Sequence, residues 1–206
     1  EDREVYTRAL EEYRHRPGLA FRLEFRARGG NGPYRWLELR ATIVTEQDVS
    51  SDCLGLISDI TQRKEWQKAA AFFWQTVHDH RTVAIGGNSV REHFHDDKDY
   101  SSMIEEVEGP ETCNTYNMLK LTELLFLGDA KASYADYYER ALYNHILSSQ
   151  RPDSGGFVYF TPMRPNHYRV YSQPQKAMWC CVGSGIESHA KYGEFIYAHR
   201  GDSLYV

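Results

Sequence analysis

The chain has 206 residues, with 24 Lys and Arg against 29 Asp and Glu for a net charge of −5, and is 41% hydrophobic and 14% aromatic. That length suits one or two domains with buried cores. No apolar run approaches the roughly 18–20 residues of a transmembrane helix, residue 1 opens no signal peptide, and the mild acidity argues against a general nucleic-acid binder, which needs a basic face.

Residues 1–13 read as a short amphipathic helix with Val5, Leu10 and Tyr13 on its apolar face. Pro17-Gly18 breaks it. Phe21, Leu23 and Phe25 then alternate with polar residues, the period of a half-buried strand. Gly29 to Pro33 is a dense turn cluster. From Tyr34 to Val44 the alternation returns: Leu37, Leu39, Ala41 and Ile43 share one face, and Trp36, Glu38, Arg40 and Thr42 the other. After a polar loop at 45–52, a third run spans Cys53 to Ile60. The expected unit is a helix followed by a three-stranded antiparallel meander.

Trp66, Ala69, Ala70, Phe73 and Val77 fall at helical spacing between Trp66 and His78, and Gly86-Gly87 ends that stretch. Thr115 to Leu127 is apolar on most of its circumference, as in a helix buried on most faces. Tyr134 to Leu147 is amphipathic, Phe157 to Phe160 is strand-like, and a last helix is expected from Gly185 to Tyr197.

Composition changes along the chain. Residues 1–64 hold ten Arg, one Lys and one His, with 11 basic against 11 acidic residues. Residues 65–206 hold eight of the nine His, 12 of the 15 Tyr, three of the four Cys and all of the net charge. The shift predicts two modules, 1–64 and 65–206.

The run Phe21-Arg22-Leu23-Glu24-Phe25-Arg26, the Gly-rich turn, Tyr34-Arg35-Trp36-Leu37-Glu38-Leu39-Arg40 and the closing Asp59-Ile60-Thr61-Gln62-Arg63-Lys64 together resemble the C-terminal half of a PAS sensor domain. The earlier strands and ligand-facing helices of that family have no counterpart here, so the expected role of 1–64 is packing and capping.

Chemistry concentrates at Glu111-Thr112-Cys113 and at Cys180-Cys181. Adjacent cysteines rarely close a disulfide with each other without strain, and no Cys-x-x-Cys spacing supports thioredoxin-like redox chemistry. Three thiols and a carboxylate can fill a tetrahedral zinc shell; buried structural cysteines are the competing reading. Spacing alone leaves both open. A helix expected just after the cysteine pair would favour a thiolate at its N-terminus.

Four blocks then run in order: Gly86-Gly87-Asn88-Ser89-Val90-Arg91-Glu92-His93-Phe94, Gly109-Pro110-Glu111-Thr112-Cys113-Asn114, Tyr137 to Asn144, and Met178-Trp179-Cys180-Cys181-Val182-Gly183-Ser184-Gly185. They resemble the family 127 glycoside hydrolases, the β-L-arabinofuranosidases. The resemblance implies a zinc ion on Glu111, Cys113, Cys180 and Cys181, Cys180 as nucleophile, Glu92 as acid/base, and Tyr159 near the sugar. It implies an arabinofuranoside-type oligosaccharide or glycan as partner, with neither nucleic acid nor a membrane span. The fold class expected overall is α+β: the N-terminal helix and PAS-like half-sheet, then part of an (α/α) barrel, since twelve barrel helices outgrow 142 residues.

For the remaining polar residues the expectation is support. His93 and His95 have ligand-pair spacing but fit surface or supporting roles better; His145 and His189 read as satisfied core or surface histidines; Arg164, His167 and Tyr171 line a sugar site or serve a loop. Cys53 is a bystander. Two functions follow: a zinc-dependent retaining glycosidase module, or a non-catalytic sensory, interaction or fusion fragment that keeps the motifs.

Overall fold

The computed structural model describes residues 2–14, 16, 18–46 and 50–206; Glu1, His15, Pro17, residues 47–49 of the polar loop and the side chains of residues 14, 43–46 and 50–53, Ile43 and Cys53 among them, lie outside the described residues. Backbone contacts divide the chain into two compact units, Glu1–Ala69 and Ala70–Val206.

In the first unit, helix α1 (Asp2–Arg14) precedes an antiparallel meander of β1 (Ala20–Ala27), β2 (Arg35–Glu46) and β3 (Ser50–Asp59). The register pairs Phe21 with Ala41, Leu23 with Leu39 and Phe25 with Leu37, so one face of the sheet is apolar. Helix α1 covers that face with Tyr6, Leu10 and Tyr13. Tyr13 stacks on Phe21 at 4.6 Å and Tyr6 tilts against Phe25 at 4.9 Å. Val5, expected on that stripe, is exposed. Positions 6, 10 and 13 follow i, i+4, i+7, and residue 5 lies about 100° away from Tyr6 around the axis.

The opposite face is ionic. The buried carboxylate of Glu38 accepts from Arg63 at 2.8 Å and from Arg40 at 2.5 Å, and pairs with Arg22 at 2.5 Å. The Arg63 hydrogen bond outweighs burial and, with Arg40 and Arg22, holds Glu38 down at about 2.

Helix α2 (Thr61–His80) carries residues of both units. The second unit continues with α3 (Ser101–Glu105), α4 (Thr112–Gly128) and α5 (Ala132–Ala141). A π-helical turn at Leu142–Ile146 and a 3-10 turn at Leu147–Ser149 follow, then α6 (Cys180–Ala190) and a small hairpin of β4 (Ala198–Arg200) and β5 (Ser203–Tyr205). Its core joins Trp74 and Val77 of α2 to Met118, Leu119 and Phe126 of α4 and to Tyr134, Tyr137, Tyr138 and Ala141 of α5. Two buried rings have their polar ends satisfied: Trp74 Nε1 donates to Thr122 Oγ1 at 2.7 Å, and Tyr137 donates to the Gly86 carbonyl at 3.0 Å. Gly86, at φ +90, lies so close to α5 that a Cβ there would sit 2.5 Å from the Ala141 Cα.

The unit is therefore mostly helical, and among the described residues the helices form no closed barrel. Two expectations shift. The last helix begins at Cys180 and ends at Ala190, not Gly185 to Tyr197. Tyr192 and Phe195 keep an apolar periodicity because they pack on the core from a turn. The Phe157–Phe160 run makes only single bridges, to Gln150, Tyr171 and Glu111. No helix among the described residues is long and apolar enough to cross a membrane.

Candidate metal centre and catalytic groups

The N-termini of α4 and α6 meet. Glu111 is the residue capping α4 and Cys113 is in its first turn; Cys180 and Cys181 are the first two residues of α6. Neither helix start has a side-chain cap, and the positive dipole ends favour carboxylate and thiolate nearby.

One ligand atom from each of Glu111, Cys113, Cys180 and Cys181 lies within 4.8 Å of all the others. Sγ of Cys181 is 3.3 Å from Sγ of Cys113 and 3.9 Å from that of Cys180, while Glu111 Oε1 is 3.7 Å from Cys181 and 4.0 Å from Cys180. A tetrahedron with bonds of about 2.0–2.3 Å has edges of roughly 3.5–3.8 Å. The four groups fit such a shell in donor type, number and spacing, so the cluster is capable of coordinating a metal ion. Cys113, Cys180 and Cys181 are free thiols.

Burial grades the cluster. Cys181 is buried, Cys113 partly so, and Cys180 is exposed. The Cys181 thiol donates to Cys113, which draws the Cys113 thiol below its ordinary range and pushes Cys181 above it. Ser184 Oγ, 3.0 Å from Cys113 and also bonded to the Cys180 carbonyl, reinforces the first effect. Burial, then the charges of Cys113 and Glu92, lifts Glu111 to about 7. Mutual repulsion of this kind is what a bound cation would relieve.

Glu92 enters from the other side on an unusual turn. Val90 and His93 exchange backbone hydrogen bonds of 2.8 and 2.9 Å, and both central residues, Arg91 (φ 49) and Glu92 (φ 67), are left-handed. A two-residue turn of this type normally takes Asn-Gly. The Arg91 N–H donates to the Glu108 carbonyl at 3.0 Å, and His93 Nδ1 is 2.6 Å from the Arg91 carbonyl. The turn presents Glu92 to Tyr159, whose hydroxyl donates to Glu92 Oε1. Cys180 and then Glu92 raise the Tyr159 phenol well above its usual range. All six predicted site residues thus belong to one constellation.

The segment bearing Tyr159 is tied directly to α4. Thr112 N–H donates to the Tyr159 carbonyl at 3.0 Å, Thr112 Oγ1 donates to the Val158 carbonyl at 2.8 Å, and Glu111 bridges Phe160. Ser89 Oγ accepts the Glu111 N–H at 3.1 Å. The edge of the Tyr159 ring meets Trp179, the residue before α6, at 6.1 Å.

The other polar candidates support backbone. His95 is buried between the carbonyls of Asp96 and Arg81, so it does not pair with His93. His189 Nδ1 bonds the Gly185 carbonyl at 2.8 Å, and Arg164 donates to the Glu105 carbonyl at 3.1 Å. His167 tilts against Tyr168, and Tyr171 lies under Arg151. Sequence reasoning missed Ser184 and Ser89. Ser184, four residues after Cys180 on one helix face, carried a usable signal; Ser89 carried none.

A family profile described as the beta-L-arabinofuranosidase, GH127 catalytic domain, matches residues 56–194. No curated protein sequence matches the chain.

Proposed function

This chain belongs to the GH127 β-L-arabinofuranosidase catalytic-domain family, and on that premise we propose that it carries a zinc-dependent retaining glycosidase site acting on arabinofuranoside-type glycans. The observation that carries the reading is the Tyr159 hydroxyl, which donates to Glu92 and is acted on by Cys180, the one exposed sulfur of the four-ligand cluster.

Glu111, Cys113, Cys180 and Cys181 would hold the metal. Zinc, when bound, supplies charge that keeps the sulfurs as thiolates at neutral pH. Cys180 attacks the anomeric carbon while Glu92 gives its proton to the departing glycosidic oxygen, which leaves a thioglycosyl enzyme. Glu92, now a carboxylate, takes a proton from water as that water displaces the Cys180 sulfur, and two inversions yield retention. Tyr159 keeps the Glu92 carboxylate aimed at the sulfur and lies where the sugar ring must pass. Trp179 adds an aromatic wall on that side.

The helical unit reads as part of an (α/α) barrel; the three-residue link Asp129–Lys131 between α4 and α5 supports it, since short loops join antiparallel neighbours. A division into modules at 64/65 rests on the composition shift, and the PAS-like reading of 1–64 rests on its motifs and its helix-then-meander order.

The test pairs zinc determination by elemental analysis with release of p-nitrophenol from an arabinofuranoside. One zinc per chain, with turnover abolished in Cys180→Ala and Glu92→Gln, is the expected result. Zinc binding without turnover would support the non-catalytic fragment instead, and turnover that survives Cys180→Ala would overturn the assignment of the nucleophile.

A further inference from the structure

His145 is one of the largest fully buried polar side chains in the chain, yet its hydrogen bonds go to none of the four candidate ligands. It sits on the π-helical turn that interrupts the end of α5, where the wider coil re-aims side chains. Both ring nitrogens are used: Nδ1 lies 2.8 Å from Thr115 Oγ1 and Nε2 lies 3.1 Å from Thr161 Oγ1. A neutral imidazole has one donor and one acceptor, which two threonine hydroxyls can match in either tautomer. Burial lowers its pKa to about 4, so the ring stays neutral across ordinary pH.

The two threonines belong to different segments of the site. Thr115 is one turn after Glu111 on α4, and its N–H donates to the Glu111 carbonyl at 3.3 Å. Thr161 follows Tyr159 and Phe160, and its N–H donates to the Pro110 carbonyl at 2.9 Å. The joint has no slack. A Cβ on Gly87 would collide with Pro110 and sit 3.2 Å from His145 Nδ1, and one on Gly109 would strike the Thr161 carbonyl.

We infer that His145 is a positioning residue of the metal centre: it clamps the α4 start that carries Glu111 to the segment that carries Tyr159. The inference rests on the reading of Glu111 as a ligand. An outer partner of this kind typically governs metal affinity or activity by 10–100-fold.

The experiment loads the full chain with zinc chloride, measures affinity by competition with a chromophoric chelator, and records the visible spectrum of the cobalt(II) form. His145→Leu is expected to weaken zinc by about 10–100-fold and to shift the cobalt bands. His145→Asn, whose amide nitrogen reproduces Nδ1 toward Thr115, recovers most of the affinity. Ile146→Ala, equally buried beside it, lowers the urea midpoint and leaves zinc affinity and cobalt spectrum unchanged. Parallel losses in His145→Leu and Ile146→Ala, or wild-type affinity in His145→Leu, would overturn the inference alone. A wild-type chain that takes up no zinc would overturn the reading beneath it as well. Where the leucine variant does not fold, the comparison is His145→Asn against His145→Gln, which reaches Thr161 in place of Thr115; equal affinities for that pair refute the clamp.

Discussion

Replacing Gly185 by alanine tests how α6, and with it the cysteine pair, is seated. The new Cβ would lie 2.5 Å from Phe157 Cδ1, 2.9 Å from Cε1 and 3.0 Å from Cγ. Phe157 cannot easily give way. It is buried, its ring meets His189 edge-on at 5.3 Å, and its N–H and carbonyl are both bonded to Ser172. Forcing a methyl into such packing costs about 1–3 kcal/mol, while alanine for glycine inside a helix recovers about 1 kcal/mol. The net loss is about 0–2 kcal/mol. Gly183, on the same helix, has nothing within 4 Å of its would-be Cβ, so Gly183→Ala gains the propensity without the collision. The difference between the two variants cancels propensity and isolates the collision at about 1–3 kcal/mol. Urea unfolding of the metal-free, reduced protein, followed by far-UV circular dichroism, measures it. Because Cys181 lies one turn before Gly185, zinc affinity should fall in Gly185→Ala and hold in Gly183→Ala. Equal urea midpoints for the two variants would refute the packing argument.

Glu38 provides an acid dependence. Its folded-state pKa of about 2 lies below that of an unfolded glutamate, so its contribution is complete above about pH 5 and is lost as pH falls toward 2. Glu38→Gln should lower the urea midpoint of peptides from β1 and β2, read by hydrogen exchange, at pH 7 and flatten its decline between pH 5 and 2; an unchanged slope would contradict the reading. Glu92→Gly should abolish turnover yet stabilise the chain by about 0.5–1 kcal/mol, because left-handed backbone costs an L-residue about 1–2 kcal/mol and the added freedom of unfolded glycine returns part of that. Glu92→Gln should show no such gain, and equal thermal midpoints for the two variants would refute the strain. Thr122→Val should cost about 1–3 kcal/mol in urea titrations, the penalty of stranding the buried Trp74 indole N–H; a neutral substitution would mean that the indole finds another acceptor.

Much of the fold was legible where one physical signal acted alone. The β1–β2–β3 meander follows from strict alternation around a glycine-rich turn, and α4 from an apolar circumference. The candidate ligand set was legible through the family resemblance of the motif blocks, since cysteine spacing alone left buried structural cysteines equally open. Three features were hidden by tertiary contacts. The first turns of α6 contain Gly183 and Gly185, which argue against helix locally, yet Gly185 is there to admit Phe157. The π turn at 142–146 keeps a helical apolar pattern, so nothing in the spacing announces that His145 is turned toward Thr115 and Thr161. The turn at Arg91-Glu92 lacks the Asn-Gly signature by which a left-handed two-residue turn is read from sequence.

The adjacency of Cys180 and Cys181 has a geometric use that a Cys-x-x-Cys pair would lack. Successive residues of a helix are about 100° apart around its axis, whereas residues three apart share a face. On α6 that rotation sends Cys181 into the protein, beside Cys113 and Glu111, and leaves Cys180 exposed and within reach of Tyr159. Both sulfurs still reach one ligand shell, because they flank the same uncapped helix start 3.9 Å apart. One thiol can thus serve the metal alone while its neighbour also meets substrate. The same division separates the carboxylates: Glu111 is withdrawn by burial at the start of α4, and Glu92 is pushed outward by a left-handed turn. In the proposed reaction the group that must bind and the group that must react differ by one residue in sequence and by one face of a helix in space.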